Sequence, residues 1–191
     1  MPTQSEVSQL LQAWSRGDAA ARDRLMPLVL DELKDLARRH LKREPPGQPV
    51  QTTELVHELY LKLVDQRSVK LEHRRAFFAL AATLIRRLLV DLARKRQTAS
   101  RGGGQAAISF DEDLGLPVER DPELIALDDA LRDLEREDPR ESRVVELHVF
   151  GGLNFEEVAE ELGIARATAM RDWTHARLWL RRQLSARASS E

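Results

Sequence analysis

The sequence predicts an all-α protein in which two small helical domains are joined by a flexible linker. Aromatic residues make up only 5% of the 191 residues and β-branched runs are scarce, which argues against a β-rich fold. Apolar residues instead recur at steps of three and four, the spacing of helices with one buried face. A stretch rich in glycine and acidic residues interrupts this pattern near the middle of the chain. We therefore expect two separately folded domains at 1–97 and 123–185, a linker at 98–122 and a tail at 186–191.

Four helices are expected in the first domain. The apolar spacing predicts a helix over 5–16, which Gly17 ends, and Asp18 can cap the next helix. Residues 26–41 continue helically, with Pro27 tolerated in a first turn. The segment REPPGQPVQ contains three prolines and one glycine, which break a helix. A helix capped by Thr53 follows it. The last helix is long, and its inward face is the stripe Phe77, Ala81, Leu84, Leu88 and Leu92.

The second domain begins with two further helices, over 124–134 and 139–149. Asp138 is placed to cap the second of these helices, and Pro139 is suited to its first position. Gly151 and Gly152 then turn the chain into the stretch NFEEVAEELGIARATAMRDWTHARLWL, which occupies 154–180.

This stretch has the pattern of a helix-turn-helix. Asn154 followed by Glu157 predicts a capping box, and Gly163 can adopt the positive φ that ends a helix. The next helix places on one face Ala169, Trp173, Ala176, Leu180 and Leu184. Its opposite face carries a set suited to base edges and phosphates, namely Arg166, Ala167, Met170, Arg171 and Thr174. An ordinary helical hairpin with a solvated basic face is the alternative interpretation.

Charge is unevenly distributed along the chain, although the net charge is only −2. Residues 70–101 contain nine basic and two acidic side chains, and residues 166–187 contain six arginines and one acid. Between these basic blocks, residues 111–141 contain thirteen acids and four arginines. This distribution predicts a polyanionic partner that contacts the protein at two separate places.

The sequence contains no constellation that would support catalysis. The five histidines are scattered without a zinc-binding spacing, and no phosphate-binding glycine loop follows a strand. There is no cysteine, so disulfides and thiolate metal sites are excluded. The start of the chain does not resemble a signal peptide, and no apolar run is long enough to span a bilayer. We therefore expect a cytoplasmic protein that is not an enzyme and needs neither cofactor nor metal.

Three motifs cover most of residues 20–184, namely TTELVHELYLKLVD, RAFFALAATLIRRLLVDLARKRQTASRGGG and ALDDALRDLEREDPRESRVVELHVFGGLNFEEVAEELGIARATAMRDWTHARLWLRRQL. In their order and spacing they resemble bacterial RNA polymerase sigma factors of the extracytoplasmic-function (ECF) branch. The resemblance implies that the first domain binds the polymerase core and opens the promoter −10 element. It implies that the second domain recognises the −35 element. Partners would be the polymerase core, promoter DNA and, as a further candidate, an anti-sigma factor.

By this resemblance, the helix beginning at Thr53 docks on the clamp helices of the large polymerase subunit. The residues carried over to this contact are Glu54, Leu55, His57 and Glu58. The spacing puts the three polar side chains on an outward face and Leu55 inward. Contact with the −10 element is carried over to Ser68, Lys70 and Arg74 in the loop at 66–74, and to Arg86, Arg87, Arg94, Lys95 and Arg96 on the following helix. Arg87 replaces the asparagine that is frequent in the family.

The resemblance also assigns the −35 contacts. They are Arg166, Ala167, Thr168, Met170, Arg171, Thr174, His175, Arg177 and Arg181. Of these, Arg177 and Arg181 are assigned to phosphates, which would give affinity without sequence choice. Ala165 and Ala169 stand where many relatives carry serine and valine.

Two other functions are compatible with parts of this pattern. A stand-alone helix-turn-helix regulator would bind an operator as a dimer, and a helical adaptor would bind only protein. The helix pair over 53–98 favours the sigma factor, because a simple repressor has no need of it.

Overall fold

The computed structural model describes residues 4–41, 52–65, 71, 73–99 and 121–188. These residues form eight α-helices, one π-helical segment and no strand, which confirms the all-α prediction. The helices are α1 (Gln4–Ser15), α2 (Ala19–Leu41), α3 (Thr52–Val64), α4 (Arg74–Ala99), α5 (Asp121–Glu137), α6 (Pro139–Val145), α7 (Phe155–Leu162) and α8 (Arg166–Ala188), and the π-helical segment is Glu146–Phe150. Residues 100–120 of the predicted linker and residues 189–191 of the tail lie outside the described residues.

The predicted cap at the start of α2 is confirmed. Asp18 caps this helix, because its Oδ1 accepts hydrogen bonds from the backbone N–H groups of Ala20 and Ala21 at 2.9 and 3.1 Å. The helix therefore begins at Ala19, and Pro27 lies inside it rather than in its first turn. The expectation that Pro27 lies in a first turn is wrong, because the helix that Asp18 caps is continuous through this residue.

Helices α1 to α4 form the first lobe of the molecule. α1 packs on α2 and α4, and α3 packs on both α2 and α4. Fully buried side chains fill the space between these helices, among them Leu11, Leu25, Leu33, Leu59 and Phe77.

Helices α5 to α8 and the π-helical segment form the second lobe. The predicted capping box is present: Asn154 Oδ1 accepts from the backbone N–H groups of Glu156 and Glu157, and Glu157 Oε2 accepts from the Asn154 N–H at 3.0 Å. Gly163 ends α7 with φ of 65°, as predicted. The predicted inward stripe of α8 is confirmed, since Ala169, Ala176, Leu180 and Leu184 are buried and Trp173 is half-buried against the core.

The two lobes are in direct contact, which the expectation of separately folded domains does not anticipate. α4 packs on α5 and on the π-helical segment as well as on α1 and α3. Its residues are buried on nearly all sides between Phe77 and Val90, as expected of a helix that is apolar all round. The contact is close: a Cβ built on Gly151 would lie 3.0 Å from the Cβ of Ala82. A single core therefore runs through both lobes, with α4 at its centre.

Candidate nucleic-acid and polymerase interfaces

The outer face of α8 is exposed and basic, as the helix-turn-helix pattern predicts. Its opposite face lies in the core of the second lobe, so the exposed side chains are held on a fixed helix. Arg166, Ala167, Arg171 and Thr174 are exposed on it, and Met170 is 42% exposed, which is high for a large apolar side chain. This arrangement presents guanidinium donors and an apolar side chain on one surface, the combination that reads base edges in the major groove.

Two side-chain pairs attach α8 to α6. Arg140 Nε donates to Asp172 Oδ2 at 2.7 Å, and Asp172 is buried. The hydrogen bond to Asp172 raises the pKa of Arg140 above its usual value, so this guanidinium remains charged. His175 Nδ1 lies 2.7 Å from Glu141 Oε1, and Glu141 is buried. These pairs fix the position of α8 relative to the rest of the lobe.

The remaining residues predicted to contact the −35 element differ in accessibility. His175 is 68% exposed although its Nδ1 faces Glu141. Arg181 is exposed, whereas Thr168 and Arg177 are half-buried. Arg171 is 74% exposed and has Asp172 Oδ1 4.0 Å from its Nε. Arg171 and Arg181 therefore each present a guanidinium group on the exposed surface of α8.

The predicted polymerase-binding face lies on α3. Glu54, His57 and Glu58 are exposed on one side of this helix, while Leu55 is only 1% exposed. Leu55 therefore supports the face from inside the first lobe instead of forming part of its surface. Leu61, which the sequence interpretation did not select, is 47% exposed and stands three and four positions after Glu58 and His57. Leu61 adds an apolar side chain to the face formed by Glu54, His57 and Glu58.

A groove lies between α3 and α4. It is lined by Glu54, Leu55, Glu58, Lys62, Leu88, Asp91, Leu92 and Lys95. Lys95, predicted to contact the −10 element, therefore stands beside the residues predicted to contact polymerase. The two predicted contacts are adjacent on the first lobe.

Three of the arginines predicted to contact the −10 element lie at the contact between the lobes. Arg86 is buried, and its Nε donates to Asp128 Oδ1 at 2.9 Å. Arg94 has its Nη2 3.7 Å from Asp128 Oδ2. Arg74 donates to Glu157 Oε1 at 3.2 Å and to Glu32, and its guanidinium lies 4.6 Å from the centre of the Phe78 ring.

The other predicted −10 residues are placed differently. Arg87 and Lys95 are exposed on α4, and Arg96 is half-buried. Ser68 and Lys70 lie outside the described residues. Phe77 and Phe78, which are not among the predicted −10 residues, lie on the same helix and are buried in the core with their rings 5.3 Å apart.

The acids that meet these arginines were not predicted to do so from the sequence, which singled out only Glu157, for the capping box. Asp128, Glu146 and Glu157 come from α5, the π-helical segment and α7. One sequence signal could have drawn attention to Glu146, because it interrupts the apolar run VVELHVF and is itself buried. A buried carboxylate requires a charged or hydrogen-bonding partner.

Within the residues described, no group of side chains could hold a metal ion. None of the described helices combines the length and the apolar character that a membrane span requires.

A family model described as ECF sigma factor matches residues 4–186, nearly the whole chain. The comparison with curated proteins gives no match.

Proposed function

The chain belongs to the ECF sigma factor family, and on this premise we propose that it directs RNA polymerase core to promoters by recognising the −35 and −10 elements. Members of this family are transcription initiation factors rather than enzymes, and their partners are RNA polymerase and promoter DNA. The finer proposal is that this chain carries both promoter contacts and also assists melting of the −10 element.

The observation that carries the proposal is the exposed face of α8. Arg166, Met170, Arg171 and Thr174 share this face, and the preceding helix α7 ends at Gly163 in the tight turn of a helix-turn-helix. A helix held by its core face and by Asp172 and Glu141 can enter a major groove without losing its own packing.

Within that face we assign base reading to Arg171 and phosphate contact to Arg181. A bidentate arginine–guanine contact discriminates against the wrong base by about 1–3 kcal/mol. A phosphate contact strengthens binding to every sequence alike and makes it depend on salt. We extend the −35 surface to the neighbouring residues Ala167, Thr168, His175 and Arg177, which flank these two arginines along α8.

We propose that polymerase core docks on the outward face of α3. Glu54, His57 and Glu58 supply its polar contacts, and Leu61 supplies an apolar one. The −10 contact is assigned to α4 and to the loop before it. This division corresponds to a first domain at 1–97, a linker at 98–122 and a second domain at 123–185.

The proposal is tested by run-off transcription with purified core polymerase and a library of genomic fragments. We expect promoter-dependent transcripts only when the protein is added. Binding of the free protein to operator-like duplexes as a dimer, with no effect on core polymerase, would instead favour the stand-alone regulator. Binding to neither DNA nor core polymerase would favour the helical adaptor.

Two substitutions test the assignment within α8. Arg171→Ala should relax base choice at one −35 position, with a loss of about tenfold on the preferred base. Arg181→Ala should weaken all sequences alike and reduce the slope of log affinity against log salt by about one. If both variants lower the affinity for every DNA sequence by the same factor, Arg171 does not read a base.

A further inference from the structure

Ser15, the last residue of α1, makes two hydrogen bonds to a residue that lies 56 positions later in the chain. The backbone N–H of Leu71 donates to Ser15 Oγ at 2.8 Å, and the Ser15 hydroxyl donates to the Leu71 carbonyl oxygen at 3.3 Å. One side chain thus serves both backbone groups of one residue. Leu71 belongs to the segment 66–74, which carries predicted −10 contacts.

The position of the Ser15 hydroxyl is set by α1. Leu11 of this helix is fully buried, and the Trp14 ring lies 6.5 Å from the ring of Phe77 on α4. The helix then ends in a tight turn, in which the Gly17 N–H donates to the Trp14 carbonyl oxygen at 2.8 Å and Gly17 has φ of 95°. Ser15 is exposed, but its side chain is attached to a backbone that is fixed on both sides.

Leu71 is also held by its own side chain, which is 3% exposed and lies in the core. Two residues later, His73 caps α4. Its Nδ1 accepts from the Ala76 N–H at 3.1 Å, and its carbonyl oxygen accepts from the Phe77 N–H at 3.3 Å. The chain is therefore fixed at Leu71 and again at His73, immediately before α4 begins.

Residues assigned to promoter DNA flank these two fixed points in the sequence. Lys70 directly precedes Leu71, and Arg74 directly follows His73. A binding site needs its contact residues to be held within about 0.5 Å of the productive geometry by supporting residues. The bonds of Ser15 supply such support from α1, a helix to which no promoter contact is assigned.

We propose that Ser15 is a positioning residue for recognition of the −10 element and acts through the backbone of Leu71. This inference rests on the proposed function, since it concerns how that same −10 surface is held. The Ser15 hydroxyl fixes the two peptide groups that flank the Leu71 Cα, and the first of these groups joins Leu71 to Lys70. Loss of the hydroxyl therefore changes the choice of −10 bases without removing any group that touches DNA.

Three substitutions separate this role from general packing of α1. Ser15→Ala removes both hydrogen bonds, whereas Ser15→Thr keeps the hydroxyl. Because Ser15 is exposed, the additional methyl group of threonine does not have to enter the core. The control is Val7→Ala on the same helix. Val7 is 5% exposed, so this change leaves a cavity under α1 and removes no hydrogen bond to Leu71.

The first readout is hydrogen exchange of the Leu71 amide in the free full chain, measured by NMR. Exchange is slow where an amide is held in a hydrogen bond and speeds up as that bond is lost. We expect Ser15→Ala to speed exchange at Leu71 by about fivefold relative to the amides of α3. Ser15→Thr and Val7→Ala should retain the wild-type ratio. The same ratio in Ser15→Ala as in the wild type would overturn the proposal.

The second readout is base choice in run-off transcription with core polymerase, on a promoter recovered from the genomic library. The templates carry single base substitutions in either the −10 or the −35 element. We expect Ser15→Ala to reduce discrimination at the −10 element by about fivefold, the factor by which the held conformation loses population. Discrimination at the −35 element should keep its wild-type value, because α8 is unchanged. Val7→Ala should keep both.

A purely structural role of Ser15 predicts a different pattern. Ser15→Ala would then lower transcription from all templates by one common factor, as a loss of stability does in Val7→Ala. That result would contradict the positioning role. So would a Ser15→Thr variant that fails to restore the −10 discrimination lost in Ser15→Ala.

The wild-type reaction distinguishes failure of this inference from failure of the proposed function. If the wild type gives no promoter-dependent transcript, the proposed function fails and the role of Ser15 in promoter recognition fails with it. If the wild type transcribes and Ser15→Ala keeps the wild-type −10 discrimination, only the role of Ser15 fails.

Discussion

Replacing Arg86 with alanine tests whether the contact between the lobes carries stability. The Arg86 side chain is 9% exposed, and its partners Asp128 and Glu146 are 6% and 11% exposed. The substitution removes hydrogen bonds to Asp128 Oδ1 at 2.9 Å and to the Asp128 carbonyl at 3.2 Å. It also leaves two buried carboxylates with fewer positive partners.

The expected loss follows from what remains around these carboxylates. Removing one partner of a buried ion pair costs about 3–5 kcal/mol. Asp128 keeps Arg132 at 3.0 Å, and Glu146 keeps Arg143, so neither acid is left without a cation. The lobes can also separate and return both acids to water, which limits the loss. We therefore expect about 3 kcal/mol, the lower end of that range.

The assay is urea and thermal unfolding followed by circular dichroism. A loss of this size should lower the melting temperature by about 6–12 °C for a chain of this length. Arg87→Ala is the matched control, because Arg87 is the next residue of α4 and is exposed. Its effect should lie within about 0.5 kcal/mol of zero. Equal small losses from both variants would refute the buried contact of Arg86.

Three further changes test local features of the fold. Gly163→Ala should destabilise the protein by about 1–2 kcal/mol in urea unfolding, because φ of 65° is unfavourable for a residue with a Cβ. An added Cβ would meet nothing within 4 Å, so the loss comes from the backbone conformation and not from a clash; an unchanged midpoint would contradict the left-handed cap. Asn154→Ala should cost about 1 kcal/mol in the same assay, since two N–H groups of α7 lose their acceptor, whereas Asn154→Asp should retain most of it. Phe150→Ala should cost about 3–5 kcal/mol, since this ring is fully buried between the lobes; a loss below about 1 kcal/mol would place the ring in solvent.

Local sequence signals predicted much of the second lobe. The capping box at Asn154 and Glu157 and the left-handed Gly163 act over three or four residues, so their partners are fixed by spacing alone. The buried stripe of α8 is predictable for the same reason. These features place the exposed face of the candidate recognition helix without reference to any other part of the chain.

The first lobe shows where competing local signals mislead. Asp18 was correctly predicted to cap a helix, whereas Pro27 was expected in a first turn and instead lies inside α2, two turns after the cap. In α4 the informative signal is the distribution of apolar residues around the helix. Between Phe77 and Val90 they lie on nearly every side. Such a helix must be covered on more than one face. The predicted stripe described only one of the faces that α4 buries.

The sequence by itself determined the all-α class, the helix-turn-helix and the family, since these depend on periodicity, caps and motifs that lie close together along the chain. Only the tertiary structure decided that Arg86, Arg94 and Arg74 face acids of the second lobe. These pairs join residues separated by 42 positions for Arg86 and Asp128, and by 83 for Arg74 and Glu157. No helical spacing relates residues so far apart, so the packing of α4 against α5 and α7 selects which carboxylate meets which guanidinium.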